Sequence, residues 1–324
     1  MSMAWTGRSV LAAAVLAFAC PCFPAQTAGA SQANPSSANP DLAGIAHVAI
    51  RVSDLDRSRA FFHKLGFEEA FAMNHGGTPT EAFFKINDRQ FIELYPRKGS
   101  SDWTGFMHIC FEAADLQAVH QDYVAHGLTP KPVIRAGAGN LLFTLQGPDE
   151  PGPPSDLRPA ATENIEYTQY MPGSRHTLDR GKHLGPDRIA DRMAGVGIPM
   201  ADVAAATTFY EDKLSFRPAT HPLEPGMPAL SLPGDADERV EFLGAAAAAP
   251  TQLHFRIFFS VPDLRGTLAR LRTLGFAPSR HGSTLTIVDP DGDSIVFIRT
   301  RSLKQSVLNV PVRAGDHSAS GAAP

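Results

Sequence analysis

GFMHICFEAADL, residues 105–116, reads as a strand running into a helix, and its outline returns 148 residues later. In the first copy Met107, Ile109 and Phe111 alternate with His108, Cys110 and Glu112, the period of a half-buried strand. Asp115 is an N-cap type directly before Leu116, and Gly127 marks the helix end. In the second copy Asp263-Leu264 stands for Asp115-Leu116. Working outward, Asp202 corresponds to Asp54 and Tyr210 to Phe62, again at 148. Ala194-Gly-Val-Gly-Ile198 corresponds to Ala46-His-Val-Ala-Ile50, and Val240-Glu-Phe242 to Ile92-Glu-Leu94, at the same offset. Ile295-Val-Phe297 matches Ile165-Glu-Tyr167 at 130, and the missing 18 residues fall at a Pro-rich insertion, 147–163. Its counterpart is the compact Asp289-Pro-Asp-Gly292. A repeat that holds across strands and helix starts decides the architecture.

Within the first copy the periodicity predicts a strand at 45–52, a helix to Leu65, and strands at 67–73, 81–86 and 89–95. The strand at 106–112 and its helix follow, then strands near 131–135, 141–146 and 164–170. That is one βαβββ unit written twice. The fold class is α+β, with tandem domains at 45–171 and 194–300, each a pair of βαβββ modules. Residues 172–193 are polar and basic and read as a linker, its His176 and His183 as solvated. Residues 301–324 lose periodicity and read as a tail.

The first thirty residues read as a signal peptide. Arg8 supplies the positive end, Val10–Ala19 the apolar run and Ala28-Gly-Ala30 the cleavage site. The run is shorter than the ~20 residues of a membrane span. Residues 31–44 read as a flexible lead-in, and the mature chain is expected to be exported, periplasmic or extracellular. The chain of 324 residues is 43% hydrophobic, ample for a core. Its net charge of -4 argues against a nucleic-acid partner. Of 3 cysteines, Cys20 and Cys22 lie in the signal segment, so an exported chain keeps Cys110 alone, read as a small core thiol. With no internal disulfide, the core or a metal must hold the fold.

Four ligand-type residues face away from the apolar rows: His47, Glu93, His108 and Glu166, each in mid-strand. If the modules pair face to face, all four project into one concavity. Two imidazoles and two carboxylates suit one divalent ion: Zn, Ni, Fe, Mn or Co. The matching positions of the second domain are Gly195, Glu241, Arg256 and Val296, so that copy has lost the site. Arg256 and Glu241 are expected to pair across the vacated cavity, with His254 two residues away on the same strand face.

The segments IAHVAIRVSDLDRSRAFFHKLGF, FIELYP, GFMHICFEAADL and NIEYTQY, with DPDGDSIVFI in the second copy, resemble the vicinal oxygen chelate superfamily. That superfamily includes glyoxalase I, methylmalonyl-CoA epimerase, the fosfomycin resistance proteins and extradiol dioxygenases. The resemblance covers 45–171 and 194–300. It implies half-open barrels of the glyoxalase-like fold around one metal, held by His47, Glu93, His108 and Glu166. It also implies a small-molecule substrate that chelates the metal through two adjacent oxygens.

A fourth ligand at Glu93 looks like glyoxalase I, where Glu166 or Glu93 would leave the metal to act as base. That reading makes the chain a metal-dependent lyase or isomerase. His47, His108 and Glu166 alone look like the facial triad of a non-haem Fe(II) dioxygenase. A binding or sequestering protein without catalysis is the third reading. The oligomeric state stays open, since tandem domains allow a monomer.

Overall fold

The computed structural model describes residues 41–99, 102–151, 161–224, 226–234, 236–244 and 252–299. The signal segment 1–30, the lead-in to 40, the tail from 301 and the middle of the insertion, 152–160, lie outside them. The first half contains β1 (Leu42–Val52), α1 (Leu55–Lys64), β2 (Glu68–His75), β3 (Thr78–Lys85), β4 (Phe91–Pro96) and β5 (Thr104–Ala113). It continues with α2 (Leu116–Ala125), β6 (Ile134–Arg135), β7 (Leu141–Asp149), β8 (Thr162–Gln169) and α3 (Arg175–Leu178). The second half contains β9 (Met193–Met200), α4 (Val203–Leu214), β10 (Arg217–Pro218), β11 (Ala229–Ser231) and β12 (Arg239–Gly244). It ends with β13 (Gln252–Leu253), β14 (Arg256–Val261), α5 (Leu264–Thr273), β15 (Ser279–His281), β16 (Thr284–Val288) and β17 (Ser294–Arg299). Among the described residues no helix is long and apolar enough to cross a membrane.

Both halves form mixed sheets of one design. The first runs β2-β3-β4-β1-β5-β8-β7-β6, the second β10-β11-β12-β9-β14-β17-β16-β15, and neither closes into a barrel. The register repeats with the sequence. His47 lies opposite Phe91 and Cys110, and Gly195 opposite Arg239 and Phe258, each 148 residues on. Cys110 pairs with Glu166 as Phe258 pairs with Val296. Four helices begin at an aspartate whose carboxylate accepts backbone N–H groups of the first turn: Asp54, Asp115, Asp202 and Asp263. These caps satisfy donors that a helix start leaves orphaned.

The apolar rows and helices of the two halves merge into one core, which includes Val48, Phe62, Ile109 and Tyr167 with Val196, Tyr210, Ile257 and Phe297. The opposite face of each sheet keeps a small cluster of its own. Polar ties cross between the halves. Gln90, buried on a turn of the first half, bonds the backbone of Met193 in both directions, at 3.0 and 2.8 Å. The Asp291 carboxylate accepts the Ser53 N–H at 2.7 Å beside the start of α1. β13 pairs in parallel with β5 at Thr104 and Gly105. Gly105 sits at φ +101, and a Cβ there would lie 2.1 Å from the Leu253 carbonyl oxygen. The position therefore requires glycine.

Three expectations change. Residues 42–44 of the lead-in are strand, because Leu42 pairs with Ala113 and its N–H donates to Pro233 O at 3.1 Å. The ends of the insertion are not loop: β7 and β8 stay paired out to Asp149 and Thr162, and Glu163 is fully buried with Tyr210 OH donating to it at 2.6 Å. The linker is solvated only in part: His183 is exposed as expected, whereas His176 is buried. α3 bridges the free edges of the first sheet. The Arg175 N–H donates to Ala138 O at 2.8 Å beside β6, and its guanidinium to Ala72 O on β2 at 3.0 Å. Lys85, with no exposed surface, donates to the Asp179 carboxylate at 2.9 Å and approaches Asp88 at 2.8 Å. His183 approaches the other oxygen of Asp179 at 2.5 Å. Arg175 and His183, though exposed, are among the residues that anchor the segment.

The Lys85–Asp179 pair is buried, so removing one partner leaves an uncompensated charge. Lys85→Met should cost about 3–5 kcal/mol in urea unfolding. Lys85→Met combined with Asp179→Leu should recover more than half of that loss. Equal losses in the single and double variants would show that the pair carries no such coupling.

Candidate metal centre

The four residues singled out in the sequence come from β1, β4, β5 and β8, on two adjacent rungs of one sheet. Ala49 lies between Glu93 and His108 in register, and Cys110 lies between His47 and Glu166. His47, Glu93 and His108 are 3%, 4% and 7% exposed. A bulge between Ile45 and His47 adjusts the register of β1 beside Cys110. Bulges of this kind re-aim side chains.

Three of the four converge. Nε2 of His47 lies 3.0 Å from Nε2 of His108, and 3.6 Å from Oε1 of Glu166. Nε2 of His108 lies 3.8 Å from Oε2 of Glu166. All three offer ligand atoms within 4.8 Å of one another, the one such group among the described residues. Donors bound at ~2.0–2.2 Å lie roughly 3.0 Å apart at right angles and about 3.4 Å apart in a tetrahedron. The spacing between the two imidazoles falls in that range and the two to Glu166, at 3.6 and 3.8 Å, lie a little above it, so a small inward turn of that carboxylate fits the donor set to a first-row divalent ion.

Glu93 does not join them. Its Oε1 approaches the opposite ring atom, Nδ1 of His47, at 3.1 Å, and its Oε2 accepts the Tyr95 hydroxyl at 2.9 Å. The Nδ1 contact is close but poorly aligned with the ring N–H, so Nδ1 has no well-formed hydrogen bond. A carboxylate at Nδ1 favours the tautomer with its proton there, which leaves the Nε2 lone pair facing His108 and Glu166. In this geometry Glu93, expected as a fourth ligand, lies outside the cluster and against Nδ1 of His47. Strand alternation put Glu93 on the right face but could not tell which edge of the imidazole it would meet.

Burial sets the charges. It holds His108 down to about 4, and it holds His47 well below the usual histidine range, helped by the charges of His108 and His176. Both imidazoles are therefore neutral, with lone pairs available. Burial raises Glu166 to about 7, against the lowering effect of the Cys110 thiol. Burial, then the Glu166 charge, pushes Glu93 well up. Two desolvated carboxylates beside neutral imidazoles are an electrostatic complement for a bound cation.

Beneath this layer Ala46, Phe83, Phe91, Cys110 and Tyr170 pack together, edged by Ala70, Phe71 and Met73. Cys110 is fully buried there, and burial pushes its thiol well up, so it is a packing residue. His176 enters this cluster from α3 and is 3% exposed. Sequence reading missed it, since neither periodicity nor spacing marks a histidine in a polar linker.

Among the described residues the second half has no such group. A Cβ at Gly195 would lie 2.4 Å from Cδ1 of Leu223, so Leu223 fills the space where a side chain like His47 would stand. Leu223 packs with Ala194, Phe258 and Val296. The expected Arg256–Glu241 pair is absent. Arg256 pairs with Glu224, and Glu241 accepts the N–H groups of Leu223 and Glu224 at 2.6 and 3.0 Å. His254 turns instead to Asp293, 3.0 Å away.

A family model described as the Glyoxalase/Bleomycin resistance protein/Dioxygenase superfamily matches residues 44–151 and 191–297. Uncharacterized protein YwkD of Bacillus subtilis (strain 168) is 27% identical over 114 residues, which are 32% of this chain and 88% of that protein. The 2,3-dioxygenase LapB from Pseudomonas sp. KL28 has a similar structure, with a TM-score of 0.60 at 17% identity over 81% of this chain and 94% of that one. An extradiol ring-cleaving dioxygenase from B. fuscum gives a TM-score of 0.54 at 16% identity over 81% of this chain and 73% of that one. At these identities the structural likeness speaks for the fold alone.

His176 gives a pH signature. Burial holds it down to about 4 against an ordinary 6.5, so between these values the unfolded chain takes up a proton that the folded chain refuses. Stability from this group is therefore lost as pH falls from 6.5 to about 4. Unfolding free energies of wild type and His176→Phe should diverge across that window by up to about 3 kcal/mol, to the disadvantage of wild type. Parallel curves would contradict the depressed value.

Proposed function

The chain belongs to the Glyoxalase/Bleomycin resistance protein/Dioxygenase superfamily, and on that premise we propose that it is a mononuclear non-haem Fe(II) dioxygenase. In this reading His47, His108 and Glu166 hold the metal, and the substrate is a small molecule with two adjacent oxygens, of the catechol type. The observation that carries it is the turning of Glu93 away from the cluster, onto Nδ1 of His47. Two imidazoles and one carboxylate leave coordination positions open for substrate and oxygen. The fold is one that structures described as a 2,3-dioxygenase and an extradiol ring-cleaving dioxygenase also have.

When bound, iron of this kind supplies Lewis acidity toward adjacent oxygens and electrons for oxygen. The chain supplies the rest. His47 and His108, kept neutral by burial, present lone pairs rather than charge. Glu93 fixes the ring of His47, and the Tyr95 hydroxyl fixes Glu93. Phe83, Phe91 and Tyr170 line an apolar floor below the ligands. Glu166, partly exposed, is the one member of the triad open toward solvent.

A lyase or isomerase of glyoxalase I type is the second reading. It needs Glu93 as a fourth ligand with Glu166 or Glu93 as base, so Glu93 would have to swing off His47. A sequestering protein would keep the metal and lack turnover. Export is part of the proposal and rests on Arg8, Val10–Ala19 and Ala28-Gly-Ala30. An exported protein whose amino terminus is Ser31 would bear it out.

Metal analysis of the purified chain separates the first two readings. Wild type should carry one metal per chain and His108→Ala none. Glu93→Gln should keep the stoichiometry with roughly 10–100-fold weaker affinity, the worth of an orienting partner. If Glu93→Gln instead loses metal as His108→Ala does, the four-ligand reading takes over. Oxygen uptake with catechol by the Fe(II) form is expected; uptake absent with metal retained would favour sequestration.

A further inference from the structure

One buried imidazole stands outside the metal reading. His176 is 3% exposed, and neither of its ring nitrogens has a hydrogen-bond partner among the described residues. Its ring stacks on Tyr170, with centroids 4.6 Å apart and planes 19° from parallel. It meets Phe91, Phe71 and Phe83 nearly at right angles, at 4.9, 5.2 and 5.9 Å. Phe91 is the register partner of His47, and Cys110 of the same cluster is the register partner of both His47 and Glu166. The imidazole therefore stands on the floor of the hollow that holds the ligands.

A phenyl ring would make every one of those aromatic contacts. An imidazole leaves two buried polar atoms unsatisfied, and each unsatisfied atom is a stability loss. The fold nonetheless fixes this residue rigidly. Ser174 caps α3, Arg175 ties it to Ala138 and Ala72, and the buried Lys85–Asp179 pair closes its far end. Packing explains a ring at this position and does not explain its nitrogens.

We propose that His176 is a substrate-positioning residue beside the metal centre, whose imidazole hydrogen-bonds a small molecule held in the hollow. At rest that molecule is water, and in turnover it is a substrate hydroxyl. A neutral imidazole carries one donor and one acceptor, so it can hold a hydroxyl in either sense. The proposal rests on the reading of His47, His108 and Glu166 as ligands and goes beyond it, since it assigns a role to the segment between the two domains.

The test uses the full chain loaded with Co(II), with catechol as the probe followed through the visible bands of the metal. Wild type, His176→Phe and His176→Gln should each bind one Co(II) with equal affinity. Catechol should bind His176→Phe about tenfold more weakly than wild type, the order of one hydrogen bond. His176→Gln, which keeps a donor and an acceptor, should recover most of that affinity. Metal-free His176→Phe should also melt at a higher temperature than wild type.

Equal catechol affinity in wild type and His176→Phe, or no catechol response in wild type, overturns the proposal. Co(II) lost from His176→Phe alone also overturns it, since His176 would then support the ligands. Failure of wild type to bind Co(II) overturns the ligand reading itself and is distinguishable from the other outcomes. His176→Leu gives the same comparison if the phenyl ring is not accepted.

Discussion

The structure depends on a single shared core. Both sheets give their apolar rows and helices to it, Phe67 meeting Phe259 and Phe111 meeting Phe216 across the halves. Burying one face of a curved sheet leaves its other face as a hollow, and close-packed interiors do not tolerate empty hollows. The two halves meet this constraint differently. In the second, Leu223 enters over Gly195, and the polar remnants are absorbed: Glu241 by two backbone N–H groups, Arg256 by Glu224. In the first, donors of lone pairs stand above an aromatic floor, and the connecting segment seals one side.

Much of this was legible in the sequence because strands and helix starts write periodic signals. The 148-residue offset reappears as identical register in the two sheets, His47 with Phe91 and Gly195 with Arg239. The aspartate caps fall where the sequence placed them. Alternation also put His47, His108 and Glu166 on one face, and their convergence followed from the strand order. Alternation reports the face and not the direction within it, and the role of Glu93 was lost there. An imidazole has two nitrogens that face different ways, and only coordinates show that Glu93 meets Nδ1 while Glu166 faces Nε2.

The linker was illegible for a different reason. Its ties are single long-range contacts, Lys85 with Asp179 and Arg175 with Ala72, which have no period to detect. Polar composition argues for solvent only when the polar groups lack partners. Here a lysine of β3, preceded by two phenylalanines on the strand, finds its carboxylate 94 positions away. The same blindness applied to Arg256, whose partner lies in a segment without regular structure rather than on the matching strand.

A chain with two like domains has two hollows but only one connection between them. α3 belongs to that connection, and it closes the first hollow by joining the edges of its sheet. Whatever such a connection seals, it can seal once. Equivalence between the copies is therefore broken by chain connectivity, before any ligand residue differs. The copy that receives the strap gains a rigid floor from outside its own repeat, and the other must build its filling from within, as it does with Leu223.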